Sequence, residues 1–214
     1  MTFYSPSDSK FTRHYREETE MVFSGLDCVL NDERAIYCSS ELTTGVKLYR
    51  VLRDHGLRTA AELRKKLGDE WYRTNIWNMN LKAAAEFARS VRTHFGGERI
   101  VITPGPFSAP GWNQLEYLAF WETLLRTRIE SVWFNRNWEF SRGCTFEFAV
   151  AQSAGLPTLD LKGNTLDLRT GIELLTHAIH KLDADGFDTS KLRENLDRLD
   201  ARNVPTERKL AETV

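Results

Sequence analysis

The stretch SVWFNRNWEFSRGCTFEFAVAQSAGLPTLDL, residues 131–161, reads as strand, helix, strand, and its reading decides the fold. SVWFN is a short buried strand, and LPTLDL carries a second one. Between them Ser141 stands where a helix would be capped, and Gly155-Leu156-Pro157 stands where it would end. Cys144, Phe148, Ala151 and Gly155 recur at helical spacing as the stripe expected to touch a sheet. Two strands joined by a helix of this length form a parallel βαβ unit.

Outward from this unit the same alternation continues. AIYCSS, residues 35–40, reads as a buried strand that runs into the turn-prone ELTTG. GVKLYRVLRDHG and AAELRKKLGDEW follow as helical stretches. NLKAAAEFARSVRTHFGG is an amphipathic helix, with Asn80 placed to cap it and Gly96-Gly97 to end it. Ile100 to Ile102 form a strand broken by Pro104-Gly105, and a helix is expected over 113–128. Two more helices are expected around 170–182 and 190–202, with Leu192, Leu196 and Leu199 in register on the last. Alternating strands and helices of this kind predict a doubly wound, Rossmann- or flavodoxin-like α/β fold, a parallel sheet of four to five strands with helices on both faces. Its expected extent is 35–183, with an insertion at 46–77, an N-terminal extension over 1–34 and a C-terminal helical tail over 184–214.

A chain of 214 residues with 41% apolar and 28% charged residues has ordinary globular composition. Its 29 basic and 30 acidic side chains set up no global field for nucleic acid or an anionic membrane, so neither is expected as a partner. Local bias exists: residues 42–92 hold eleven Lys or Arg against five Asp or Glu. On helices such a run is ordinarily the solvated face, and a lid closing over an anion is the alternative. Cys28, Cys38 and Cys144 are odd in number, widely spaced and without a CxxC pair, so no disulfide framework or zinc site is suggested and a reduced cytoplasm is expected. His177 and His180 at i, i+3 have no further ligands spaced to join them, so no metal or other cofactor is expected. The opening residues lack a basic segment followed by an apolar one, and nowhere do 18 consecutive apolar residues occur.

Glu147 lies beside the stripe that should face the sheet. A charged carboxylate next to an apolar face costs several kcal/mol unless it is paired, protonated or solvated by a cleft. Either the helix is rotated so that Glu147 meets solvent, or the position has a chemical use. In an open parallel sheet, ligands collect beyond the carboxyl ends of the strands, and the loops CSSELTTG and NRNWEFSRG both belong there. A helix capped at Ser141 would present its first-turn amides to an anionic group such as a phosphate.

Ser141-x-Gly143-x-x-x-Glu147, preceded by Trp138-Glu139 and followed by Ala151 and Gly155-Leu156-Pro157, resembles the active-site signature of the nucleoside 2-deoxyribosyltransferase superfamily. That superfamily includes deoxynucleoside 5′-monophosphate N-glycosidases and cytidylate hydrolases. IYCSSELTTG is similar to the family's opening strand and substrate loop. The resemblance implies that Glu147 attacks C1′ of the sugar, that Tyr37 assists, and that Ser141 helps hold the 5′ end or its phosphate. It also implies an acidic residue on the preceding helix to handle the base or its proton, for which Glu122 is the nearest candidate, although the family has Asp there and the spacing differs. Family members are commonly dimers or larger, so a homo-oligomer acting on a small nucleotide is expected.

An N-glycosidic bond breaks through an oxocarbenium-like state, which a carboxylate below C1′ stabilises and can trap as an ester. Water then completes hydrolysis, or a second base completes transfer. Ser39, Ser40, Ser141 and the amides near Gly143 are the expected phosphate ligands, with Arg142 or Arg136 as charge partners. Trp138 and Trp133 are candidates to stack on a base, or core residues. Two other readings stay open: an NAD glycohydrolase resembling Toll/interleukin-1 receptor domains, and a nucleotide sensor that turns nothing over.

Overall fold

The computed structural model describes residues 3–4 and 11–203. Strands β1 (Ala35–Ser39), β2 (Val101–Ile102), β3 (Ile129–Phe134) and β4 (Thr158–Leu159) form one sheet in the order β2-β1-β3-β4. Every pairing is parallel, with Tyr37 opposite Ile102 on one side and Val132 on the other. The fold is therefore the expected doubly wound α/β arrangement, with four strands. β1 has neighbours on both sides, and all five of its residues are buried. A strand covered on both faces needs no polar alternation, which is why AIYCS is apolar or small throughout.

The twofold period of β1 still divides its side chains. Ile36 and Cys38 pack with Phe87, Ala88 and Val91 of α5 (Asn78–His94) on one face. Ala35 and Tyr37 join the larger core on the other face, with Phe120 and Leu124 of α6 (Gln114–Arg128) and Phe148 and Ala151 of α7 (Arg142–Ala154). Odd-numbered residues of β1 thus point towards α6 and α7. This parity decides where the Tyr37 and Ser39 hydroxyls go.

Local signals explain most of the boundaries. Asn113 caps α6 in a capping box with Glu116, and Ser141 caps α7 by accepting from the Cys144 amide at 3.4 Å. α7 ends at Gly155, whose φ of 70° is the left-handed C-cap that glycine adopts without strain. The helices expected around 170–182 and 190–202 are found as α8 (Leu168–Ala184) and α9 (Ser190–Asn203).

Asn80 is not a cap. α2 (Val46–Asp54), α3 (Ala60–Leu67) and α4 (Asp69–Tyr72) fill the insertion, and α4 runs without a break through a π-helical turn, Arg73–Trp77, into α5. No helix begins at residue 80, so the Asn80 side chain is free to donate to the Leu42 carbonyl at 2.9 Å.

The polar opening holds a helix that its composition conceals, α1 (Arg13–Leu30). Only Tyr15, Thr19, Phe23 and Leu30 are buried on it, too narrow a stripe to stand out among charged residues. Phe23 stacks on Phe120 with ring centroids 4.9 Å apart, and Arg128 pairs with Asp27 at 2.6 Å. α9 lies against α7, with Leu192 and Leu199 fully buried. Among the described residues no helix is long and apolar enough to cross a membrane.

Candidate functional site

In the order β2-β1-β3-β4 the chain leaves β1 towards β2 and then returns past β1 to β3, so the connections diverge between β1 and β3. A crevice opens beyond the carboxyl ends of strands at such a point. Tyr37 and Ser39 sit at that end of β1 and, by parity, face α7. Glu147 lies one turn into α7 and faces them.

The three side chains form one buried cluster. The Tyr37 hydroxyl donates to Glu147 Oε1 at 2.8 Å, and the Ser39 hydroxyl donates to Oε2 at 2.6 Å. Glu147 is 6% exposed, so the alternative in which it points to solvent does not hold. Burial pushes its carboxyl up from 4.5 to about 7, and the two donated hydrogen bonds hold it from going higher. Burial next to the same carboxylate drives Tyr37 well above the usual phenol range, so the tyrosine stays protonated and serves as a donor. Burial also pushes Cys38 up to about 12 and raises Cys144 further, which leaves both as thiols rather than nucleophiles.

Glu147 borders a cavity of about 540 Å³. Ser40, Ser141 and Gly143 form its polar edge, so these expected ligands come together with the carboxylate. A Cβ placed on Gly143 would have Ser141 Oγ, at 3.9 Å, as its nearest neighbour, and the α7 amide end is accordingly open there. Leu42 and Thr43 also line the cavity, and their loop is held from several sides. The Arg142 amide donates to Thr44 Oγ1 at 3.0 Å, and the Tyr72 hydroxyl donates to the Thr43 carbonyl at 3.0 Å. Glu41 accepts from the Val46 amide at 2.9 Å, and its carboxylate occupies the space where Gly45 would otherwise carry a Cβ.

Other expected site residues lie elsewhere. Glu122 is 1% exposed and does not border the cavity; it accepts from the backbone amides of Phe3 at 2.6 Å and Tyr4 at 2.7 Å and pairs with Arg126 at 2.8 Å. Its neighbour Trp121 does line the cavity, and the turn of about 100° per residue carries Glu122 off the stripe of Gln114, Tyr117, Leu118 and Trp121 that faces it. Trp138 is a core ring, 4.9 Å from Phe134 and 4.6 Å from Phe148. Trp133 is buried on the opposite face beside His94 and Phe95. The Arg142 guanidinium turns outward to Asp188 at 3.3 Å, and Arg136 is exposed and outside the cavity. Among the described residues no Lys or Arg lines the cavity.

The residues that pattern did not reveal are aromatic. Phe107, from the loop after β2, and Tyr117 and Trp121 of α6 form one wall. They pack as a set, with Phe107 and Trp121 5.3 Å apart and Trp121 5.9 Å from Tyr37. Trp77 and Leu81 supply another part of the lining from the opposite face of the sheet. The α6 sequence carries its cavity residues at 114, 117, 118 and 121, a helical stripe indistinguishable in one dimension from a core stripe. Among the described residues no group of His, Cys, Asp and Glu side chains suits a metal ion. Comparison of the chain with protein families, with curated proteins and with solved structures finds no match.

Proposed function

We propose that the protein is an N-glycosidase that cleaves the bond between base and sugar in a nucleoside 5′-monophosphate, with Glu147 as the nucleophile. The observation that carries this reading is a buried carboxylate, fixed through both oxygens by Tyr37 and Ser39, at the edge of a cavity of about 540 Å³ beyond the ends of the strands. That volume falls in the range of small-molecule sites.

In the first step a Glu147 oxygen bonds to C1′ while the C1′–N bond breaks, and the bonding pair leaves with the base, which takes up a proton from solvent. Each carboxylate oxygen accepts one hydrogen bond and keeps a lone pair for the attack. The two donors also restrict rotation of the carboxylate, so little ordering remains to be done in the transition state. In the second step water adds at C1′, loses a proton and releases the carboxylate; another base in its place gives transfer. The polar edge of Ser40, Ser141 and the open amide at Gly143 suits the 5′-phosphate, which would be held by hydroxyls and the α7 dipole rather than by a cation. Glu122 supplies no proton in this scheme, because its carboxylate is committed to residues 3 and 4 and to Arg126.

The test is chromatography after incubation with a panel of nucleoside monophosphates and the matching nucleosides. Free base should appear from the monophosphates, and Glu147→Gln should abolish it while the variant still folds. Full turnover by Glu147→Gln would remove the mechanism. Release only from unphosphorylated nucleosides would remove the phosphate assignment and leave the glycosidase reading standing.

A further inference from the structure

Of the six tryptophans in the chain, five have a ring or hydrogen-bond partner that accounts for them. Trp71 meets His55, Trp112 donates to Glu18 and packs on Tyr15, and Trp121, Trp133 and Trp138 sit in aromatic clusters. Trp77 alone makes neither a ring contact with another aromatic nor a side-chain hydrogen bond among the described residues. It is half-buried, and it lines the cavity that Glu147 borders.

The backbone around Trp77 is unusual as well. Arg73–Trp77 is a π-helical turn, which inserts extra backbone into a helix and shifts the register of the turns after it. Tyr72, Ile76 and Asn80 form the buried stripe of this segment, and Tyr72 and Asn80 grip the Thr43 and Leu42 carbonyls at 3.0 and 2.9 Å. With that stripe fixed to the substrate loop, the adjoining stripe of Trp77 and Leu81 must face the cavity. The indole is therefore aimed by its neighbours, although none of the described residues stacks on its face. An indole face is a stacking platform for any planar heterocycle.

We propose that Trp77 is a substrate-binding residue: its indole stacks on the base of the substrate, so the 46–77 insertion supplies the surface against which the base is held. The proposal rests on the reading of the cavity as a nucleotide site. Trp77 and the wall of Phe107, Tyr117 and Trp121 come from the two faces of the sheet, and the sugar is left next to Glu147.

Binding can be measured apart from turnover in the Glu147→Gln protein, by titration calorimetry with nucleoside monophosphates and, as a probe without a base, ribose 5-phosphate. Adding Trp77→Ala should weaken nucleotide binding by about tenfold to a hundredfold, the usual effect of removing one stacked aromatic. Ribose 5-phosphate binding should not change, and Trp77→Phe should keep most of the nucleotide affinity. Trp77→Leu retains apolar bulk without a π face and should behave like the alanine variant, which guards against a variant that merely unfolds. Nucleotide should also quench the part of the fluorescence that Trp77→Phe removes. Equal nucleotide affinity in the parent and the leucine variant, or an equal loss for ribose 5-phosphate, would overturn the role of Trp77 while base release by the native chain left the glycosidase reading intact. No binding of any nucleotide by the parent, together with no base release by the native chain, would remove both.

Discussion

In the proposed mechanism the activity depends on one titration, that of Glu147. Burial raises its carboxyl from 4.5 to about 7, and only the ionised form can attack carbon. Base release should therefore rise through about pH 7 and level off above it, and a rate profile that is flat between about pH 5 and 8 would exclude Glu147 as the nucleophile. The same shift has a consequence for stability. Between 4.5 and about 7 the folded chain holds a proton at this site that the unfolded chain has lost, so stability falls as pH rises across that window. Above it the penalty is constant, on the order of 3 kcal/mol. Glu147→Gln has no charge to bury; its amide oxygen keeps one of the two hydroxyl donors, and the other hydroxyl turns to accept from the amide nitrogen. Denaturant titration should find the variant more stable than the native chain above about pH 7 by up to about 3 kcal/mol, with the two converging towards pH 4.5. A difference independent of pH would mean that the carboxyl is not desolvated.

At the scale of elements, α6 shows both what a single sequence reveals and what it hides. Its limits follow from Asn113 and the final Arg128, yet its acidic residue at 122 read as chemistry and turned out to be a fastener. Glu122 joins residues 3 and 4 to α6, and Arg126 carries the link on to Ser153 of α7. Nothing in the local pattern could announce this, because the partners lie 118 and 119 residues away. Glu122→Ala should cost about 3 kcal/mol, since it removes the acceptor of two backbone amides and the charge partner of Arg126. Base release per folded molecule should remain close to the native value, whereas an inactive but fully stable variant would return Glu122 to the catalytic site. The candidate site divides along the same line. Glu147, Tyr37 and Ser141 were legible through the signature they resemble and the helix cap at Ser141, whereas Ser39, expected at a phosphate, is the second donor to Glu147 and does not line the cavity. Trp77, Phe107 and Trp121 were not legible, because an aromatic at helical spacing signals core whether the space opposite it is filled or empty.

For the molecule as a whole, the α/β alternation was legible in the sequence, but the standing of the two ends was not. α1 and α9 look like additions to the α/β unit in sequence, and in three dimensions they complete its core. α9 buries Leu192 and Leu199, and its Asn195 side chain donates to Thr145 Oγ1 at 2.9 Å, within the turn of α7 that leads to Glu147. Fully burying a leucine stabilises by about 1.5–3 kcal/mol, so the two together contribute about 3–6 kcal/mol. A domain of this kind has about 5–15 kcal/mol in total. A chain shortened to end at Asp188 would expose the matching face of α7 and lose much of that margin. It should melt far below the native chain or fail to fold, and base release should disappear in step with folded structure. Were the tail an independent appendage, the shortened chain would melt where the native one does and keep its activity; thermal melts of the two chains followed by far-ultraviolet circular dichroism separate these outcomes.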